Sequence, residues 1–370
     1  MTKPPKKFLL KDQLFNRENV HHLAELLKSA YPKFDLQKFE KEVLSAFPQL
    51  ELKERMTWVR EKFTDQLPDD YLKTLKILIK SIEQEPEKFD FIFAAYPDYV
   101  AALGCKKQYL EQSLAALGDF THLFSAEFAI RPFINQFPKE TFKQMKLWSL
   151  SKNNHQRRLA SEGFRPKLPW AKAINFDYKK AASILDNLYY DQDRYITRSV
   201  ANHLNDISKL DHLFVLEKLA TWTKSKKQKE SEIKYMTQHA LRTSVKRGDK
   251  ETLNFLGYGS NPKIGLDKLK IKNKNISLGQ SLEFSFELNS KSDENLMIDY
   301  CITYATPHKR ISTKVFKIKK LHISADGRAK IEKRHPFKLM STKRLYSGEH
   351  KVEIQINGSI IASESFILKT

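Results

Sequence analysis

The stretch HQRRLASEGFRPKLPW, residues 155–170, begins as an amphipathic helix with two adjacent arginines and stops at Gly163, directly after Glu162. It leaves through a segment stiffened by Pro166 and Pro169 that ends on Trp170. QRRLASEG can be laid over ITRSVANHL, with Arg157 on Arg198 and Ala160 on Ala201. A weaker third copy, KYMTQHALR, puts Ala240 in the same place. The three alanines are spaced 41 and then 39 residues apart, the period of repeats built from a pair of helices. A small residue there lets the two helices of a pair approach closely.

On either side of this stretch, residues 1–258 repeat apolar residues at three- and four-residue spacing, as in NVHHLAELLKSAY, LQKFEKEVLSAF, YLKTLKILIKSI and YLEQSLAAL. Short breaks such as FPQLE, QLPDD and NFDYK separate them. This pattern predicts a HEAT-like α-helical repeat solenoid over 1–258. From residue 264 the period changes to two. LKIKNKNI, SLEFSFEL, LMIDYCITY, KVFKIKKLHI, AKIEKRHPF, HKVEIQI and SESFIL read as seven strands, with turns at SLGQ, NSKSDE, ADG, YSGE and NGS. The expectation is an immunoglobulin-like antiparallel β-sandwich over 264–370, joined by a linker at 259–263. Only Cys301 lies in it, so an inter-sheet disulfide is excluded.

The 370 residues carry 65 Lys+Arg against 44 Asp+Glu, a net charge of +21. Of this, +10 falls in residues 260–370, densest at Lys309, Arg310, Lys314, Lys317, Lys319 and Lys320. Such a charge points to a polyanionic partner, nucleic acid before an anionic membrane surface. Cys105 and Cys301 are far apart and without metal-ligand spacing, which fits a reducing compartment. No apolar run approaches membrane-spanning length, and MTKPPKKFLLKDQLF lacks the apolar core and cleavage site of a secretion signal. The protein is read as cytoplasmic, associated with the nucleoid through DNA.

The chemistry-bearing residues lie in the repeats. Glu162 ends one helix, with Gly163 in the terminating position. Asp206 lies near the end of the corresponding helix in the next repeat, roughly 192–207. A carboxylate at a helix C-terminus faces the negative end of the dipole, unfavourable by about 0.3–1 kcal/mol. Both could be solvated surface acids, and Asp206 could cap a helix beginning near Leu210, although Ser208 is the more natural cap. Glu127 follows Ser125 at an expected helix start, where capping is the plainer reading. Arg158 lies one turn before Glu162 and Arg165 three residues after it, and Arg198 is two turns before Asp206. The pattern suggests a groove with an arginine rim and a carboxylate floor, against the alternative of simple surface ion pairs. No HExxH, GxSxG, P-loop or GxGxxG is present, and neither a metal site nor a cofactor is expected. Phe124, Phe128, Trp148, Tyr189, Tyr190 and Trp222 fall at core spacing, whereas Trp170 lies in the irregular exit from a helix.

LWSLSKNNHQRRLASEGFRPKLPWA (147–171) and YITRSVANHLNDISK (195–209) resemble the bacterial DNA alkylation-repair glycosylases, AlkC most nearly and AlkD more distantly. The whole chain is similar to the AlkC subgroup with a C-terminal immunoglobulin-like domain. The resemblance implies a monofunctional glycosylase of base excision repair that releases 3-methyladenine and 3-methylcytosine from double-stranded DNA, acting as a monomer. It implies Asp206, Glu162 and Glu127 (the last in SAEFAIRPF) as the catalytic acids and Trp170 as a wall of the lesion pocket. Arg158, Arg165 and Arg198 would hold flanking phosphates, with Arg157, His155 and His203 placed with them as DNA-binding residues. His203 stands where the AlkD branch has an aromatic, so no base-contacting tryptophan carries over. The family is expected to bend DNA, exposing the lesion without flipping it, with the basic sandwich as a clamp. The rival readings are a non-catalytic HEAT-repeat module binding nucleic acid or protein, and a membrane-surface adaptor resting on charge alone.

Overall fold

The structure, a computed structural model, describes residues 9–83, 85, 90–307, 312–338 and 344–370. The chain divides into two compact units, one of Met1–Ile207 with Thr221–Ala240 and one of Ser208–Ala220 with Leu241–Thr370. Among the described residues the regular structure of the first is all helical. Its helices start where short polar side chains accept from the first free backbone N–H groups. Asn16 caps Arg17–Ala30, Asp35 caps Leu36–Ala46 and Asp70 caps Tyr71–Ser81. Each then buries one stripe, as Val20, Leu23, Ala24 and Leu27 do at helical spacing. FPQLE makes a 3-10 turn over Phe47–Gln49 before the helix Leu52–Thr64 begins.

The repeat predicted from the alanines is present as stacked helical pairs. Helices Asn154–Glu162, Arg194–Ile207 and Glu230–Ala240 lie side by side, and Ala160, Ala201 and Ala240 are all completely buried. Helices Pro138–Trp148 and Tyr178–Leu188 pack behind the first two. Ser161 and Ser199 share a buried 2.9 Å hydrogen bond between the first two helices, a spacing only small side chains allow.

The second unit contains nine strands among the described residues: β1 Ile264–Leu266, β2 Lys270–Ile271, β3 Asn275–Ser277, β4 Ser281–Ser290, β5 Glu294–Tyr304, β6 Ser312–Ile323, β7 Arg328–Pro336, β8 Gly348–Ile356 and β9 Ser359–Lys369. β1 and β2 pair with β4, and β4 also pairs with β7. The other sheet runs β3-β9-β8-β5-β6. Phe284, Phe286, Tyr300, Ile302, Ile354 and Phe366 are among the apolar residues packed into the core of this sandwich. Two expectations are corrected. LKIKNKNI is not one strand, because it crosses from the β4 sheet to the β9 sheet between β2 and β3. β3 then pairs with β9 in parallel, so the sandwich is not wholly antiparallel.

The sandwich is fastened to the helical segments of its own unit. Gly248 and Gly358, both with positive φ, meet backbone to backbone: a Cβ on Gly248 would lie 2.6 Å from the Gly358 carbonyl oxygen. The Asn357 amide donates to the Gly259 carbonyl at 2.8 Å. Lys314, Lys317, Lys319 and Lys320 of β6 are exposed, while Lys309 and Arg310 lie outside the described residues. Cys301 is buried as a free thiol. Among the described residues no helix is long and apolar enough to cross a membrane.

Candidate functional site

A cleft of about 770 Å³ opens on the helical unit and brings together Glu127, His155, Arg158, Glu162, Arg165, Trp170 and Arg198. Glu162 is the last residue of its helix and only 3% exposed. Gly163 follows it with φ −60, in right-handed helical conformation, so it does not end the helix by the left-handed turn expected of it. Glycine is needed there for space, since a Cβ would meet Met145 Cε at 2.6 Å and Ile130 Cγ2 at 2.8 Å. Asp206 sits one residue before the end of its helix and is 1% exposed. It does not cap the next helix, which runs His212–Ser225. There Asp211 accepts from the Phe214 N–H at 3.0 Å, the role expected of Ser208.

One guanidinium resolves the two misplaced acids. Arg165 Nη1 donates to Glu162 Oε2 at 2.9 Å and Arg165 Nε donates to Asp206 Oδ2 at 2.9 Å. Arg158 links the third acid to the first: its Nη1 lies 3.2 Å from Glu127 Oε2, its Nη2 lies 3.7 Å from Glu162 Oε1, and its plane rests on the Tyr195 ring. Charges thus alternate as Glu127, Arg158, Glu162, Arg165, Asp206. Burial works against the cationic form of both arginines, but their carboxylate neighbours outweigh it and raise their pKa values.

Glu127 stands in the turn before the helix Ile130–Gln136, not at a helix start after Ser125. The Ser125 hydroxyl donates to Glu127 at 3.0 Å and accepts from Arg158 at 3.0 Å, so it serves the cleft and caps nothing. Burial raises the pKa of Glu127; Arg158 opposes the shift and Glu162 adds to it. With all five groups ionised the row carries one excess negative charge.

The arginines do not form the expected rim. Arg158 and Arg165 belong to the floor, and Arg198, exposed and without an ion pair among the described residues, is the one left at the edge. Arg157 is not among the cleft residues. It binds Asp191 at 2.6 Å and the carbonyls of Ser151 and Lys152, tying one repeat to the next. His203 is fully buried beside Ser161, and burial pushes its pKa down to about 4, so at neutral pH it is uncharged. His155 does line the cleft, edge-on to Tyr195.

Trp170 is 74% exposed and adopts φ +62, a left-handed backbone that costs a non-glycine residue about 1–3 kcal/mol. Its carbonyl accepts from Lys53 Nζ at 2.5 Å. Phe124, Trp148, Tyr189 and Trp222 are core as expected, but Phe128 is only partly buried and faces the cleft, and Tyr190 is exposed. Tyr195 and Lys53 have no part in the sequence reading, and Ser125 has one only as a capping residue beside Glu127. Tyr195 alone carried a signal, standing three residues before Arg198 on the same helix side.

Among the described residues one trio could hold a metal ion: His212, Asp249 and Glu251, with donor atoms within 4.8 Å of one another. It lies at the starts of helices His212–Ser225 and Lys250–Phe255, whose positive dipole ends oppose a cation, and Asp249 already accepts from the Thr252 N–H. It is no part of the cleft.

Residues 265–370 match the family described as "Uncharacterised protein YhaZ, C-terminal Ig-like domain". The chain is 36% identical over 359 residues to "Uncharacterized protein YhaZ" of Bacillus subtilis (strain 168), spanning 96% of this chain and 98% of that protein. It is also similar to the solved structure of Pseudomonas fluorescens alkylpurine DNA glycosylase AlkC bound to DNA containing an abasic site analog. That match has a TM-score of 0.89 at 33% identity and covers 98% of this chain and all of the other.

Proposed function

Because the chain belongs to the AlkC family of alkylation-repair DNA glycosylases, we propose that its acidic cleft hydrolyses the N-glycosidic bond of positively charged N-alkylated bases in double-stranded DNA. The substrates are 3-methyladenine and 3-methylcytosine. The observation that carries this reading is the carboxylate pair of Glu127 and Glu162 lining one cleft, with Glu162 joined through the Arg165 guanidinium to the buried Asp206.

A base methylated on a ring nitrogen already carries the positive charge of a good leaving group. It departs with the bonding electron pair and becomes neutral without receiving a proton. What the enzyme supplies is compensation for the positive charge that develops on the deoxyribose as the bond to C1′ lengthens. Fixed carboxylates do this at no reorganisation cost, since Arg158 and Arg165 already hold them in place. A water then adds to C1′ and its proton passes to a carboxylate and on to solvent. The carboxylates that line the cleft favour a cationic nucleotide over a neutral one at close range.

In this reading Asp206, Glu162 and Glu127 are the catalytic acids, and Trp170 and Phe128 are apolar walls for the exposed lesion. Arg198 holds a flanking phosphate. Arg158 and Arg165, expected on phosphates, hold the acids. The DNA is bent to expose the lesion, and the lysines of β6 make the sandwich a clamp on its backbone.

The direct test is to incubate the protein with methylated genomic DNA and chromatograph the supernatant. Free 3-methyladenine is the expected product. Retention of DNA binding with no base released would reduce the protein to a binding module.

A further inference from the structure

Beneath the cleft lies a cation that the reaction scheme does not use. Arg131, the second residue of the helix Ile130–Gln136, is 1% exposed and among the largest fully buried side chains. It makes no ion pair with a carboxylate among the described residues. Its hydrogen bonds go to backbone carbonyls of one segment: Nη1 donates to Gly163 at 3.1 Å and to Arg165 at 3.0 Å, and Nε donates to Lys172. One turn on, Asn135 continues the seam, donating to the Ala173 carbonyl at 3.0 Å and accepting from the Asn175 N–H at 2.9 Å.

We propose that Arg131 is a positioning residue of the cleft, holding residues 163–172 from below so that Arg165 meets Glu162 and Asp206 and Trp170 stands at the cleft mouth. The segment has no helix or strand of its own to fix it. Gly163 and Arg165 bracket the turn that aims the Arg165 side chain, and one nitrogen of Arg131 holds both their carbonyls. Trp170 keeps its left-handed backbone between two anchors, Lys53 on its own carbonyl and Arg131 on that of Lys172.

A charge is also better suited to this place than a neutral donor. Burial lowers the Arg131 pKa to about 10, so it remains cationic at neutral pH. Arg165 opposes that charge, and Glu127 and Asp206 favour it. Hydrogen bonds from a cation to carbonyls are stronger than those from an amide, which suits a segment that must be held without regular secondary structure.

The proposal rests on the glycosylase reading for its rate measurement but not for its second readout. Arg131→Lys keeps the charge and can replace the shared nitrogen, while losing the bond to Lys172. Arg131→Met removes all three bonds. Single-turnover release of 3-methyladenine should fall on the order of 100-fold in Arg131→Met and less in Arg131→Lys. Affinity for undamaged duplex should stay within about twofold in both, because the side chain is buried away from DNA. Independently of catalysis, trypsin should cut after the exposed Lys167 and Lys172 about tenfold faster in Arg131→Lys than in the wild type, because local opening governs cleavage.

If Arg131→Met does not fold, Arg131→Lys decides alone. Wild-type release and wild-type trypsin resistance in that variant overturn the proposal, and so does a parallel loss of binding and release. Absence of base release from the wild type would remove the glycosylase reading, and the trypsin comparison would still decide whether Arg131 holds the segment.

Discussion

At the scale of residues, a carboxylate at the C-terminal end of a helix is disfavoured by the dipole and, when buried, by the loss of water. Glu162 and Asp206 bear both penalties, and Arg165 offsets them with one charge-assisted hydrogen bond to each. Asp206→Asn should therefore abolish base release while leaving duplex affinity equal or higher, since it removes a negative charge near phosphates. Single-turnover kinetics beside a binding titration checks this, and equal loss of both would mark Asp206 as structural. Glu127 predicts the pH dependence. Its folded-state pKa is raised and only its ionised form stabilises a cationic sugar. Release should therefore be full above that raised value and fall as pH drops through it, giving an acid limb above the ordinary glutamate range near 4.3. In Glu127→Gln the limb should disappear along with most of the rate. A limb unchanged in that variant would assign it to another group.

At the scale of elements, helix positions were legible because apolar periodicity is local. The stripe Val20, Leu23, Ala24 and Leu27 can be read from sequence alone, and so can the alternation along β4. Terminal details were less legible, because a cap or a glycine answers to its neighbours in space. Gly163 looks like a left-handed terminator, yet it is helical and leaves room for Met145 and Ile130. Gly163→Val should cost about 1–3 kcal/mol through overpacking, measured by denaturant unfolding. Base release should fall further than stability alone explains, because the adjacent Glu162 moves with it. Were Gly163→Val as stable as the wild type, the packing account would be wrong. The split of LKIKNKNI between two sheets was hidden for a similar reason: alternation is the same on either side of a sandwich, and only pairing partners decide where a short strand goes.

At the scale of the whole molecule, the net charge of +21 predicts salt-sensitive DNA binding, with the β6 lysines as one source. Replacing Lys314, Lys317, Lys319 and Lys320 by glutamine should weaken binding to damaged and undamaged duplex alike. The slope of log affinity against log salt should become shallower by about 0.9 for each phosphate that is no longer neutralised. Release from a saturated complex should stay near the wild-type rate. An unchanged slope would take the clamp role away from β6.

Order along the chain is enough to establish two kinds of fold in one protein, the repeat of about 40 residues and the three acids worth watching. Periodicity, spacing and side-chain chemistry are all properties of neighbours in sequence. What the arginines pair with depends on the packing of the folded chain. Arg158 and Arg165 were expected on a rim beside phosphates, and packing turned both inward. Glu162 and Asp206 are buried 44 residues apart in sequence, and neither could be left without a counter-charge. The same stacking of helices buried His203, paired Arg157 with Asp191 and placed Arg131 beneath the cleft. Burial depends on the meeting of distant segments, and it is burial that determines whether a charged residue faces a ligand or serves another residue of the protein.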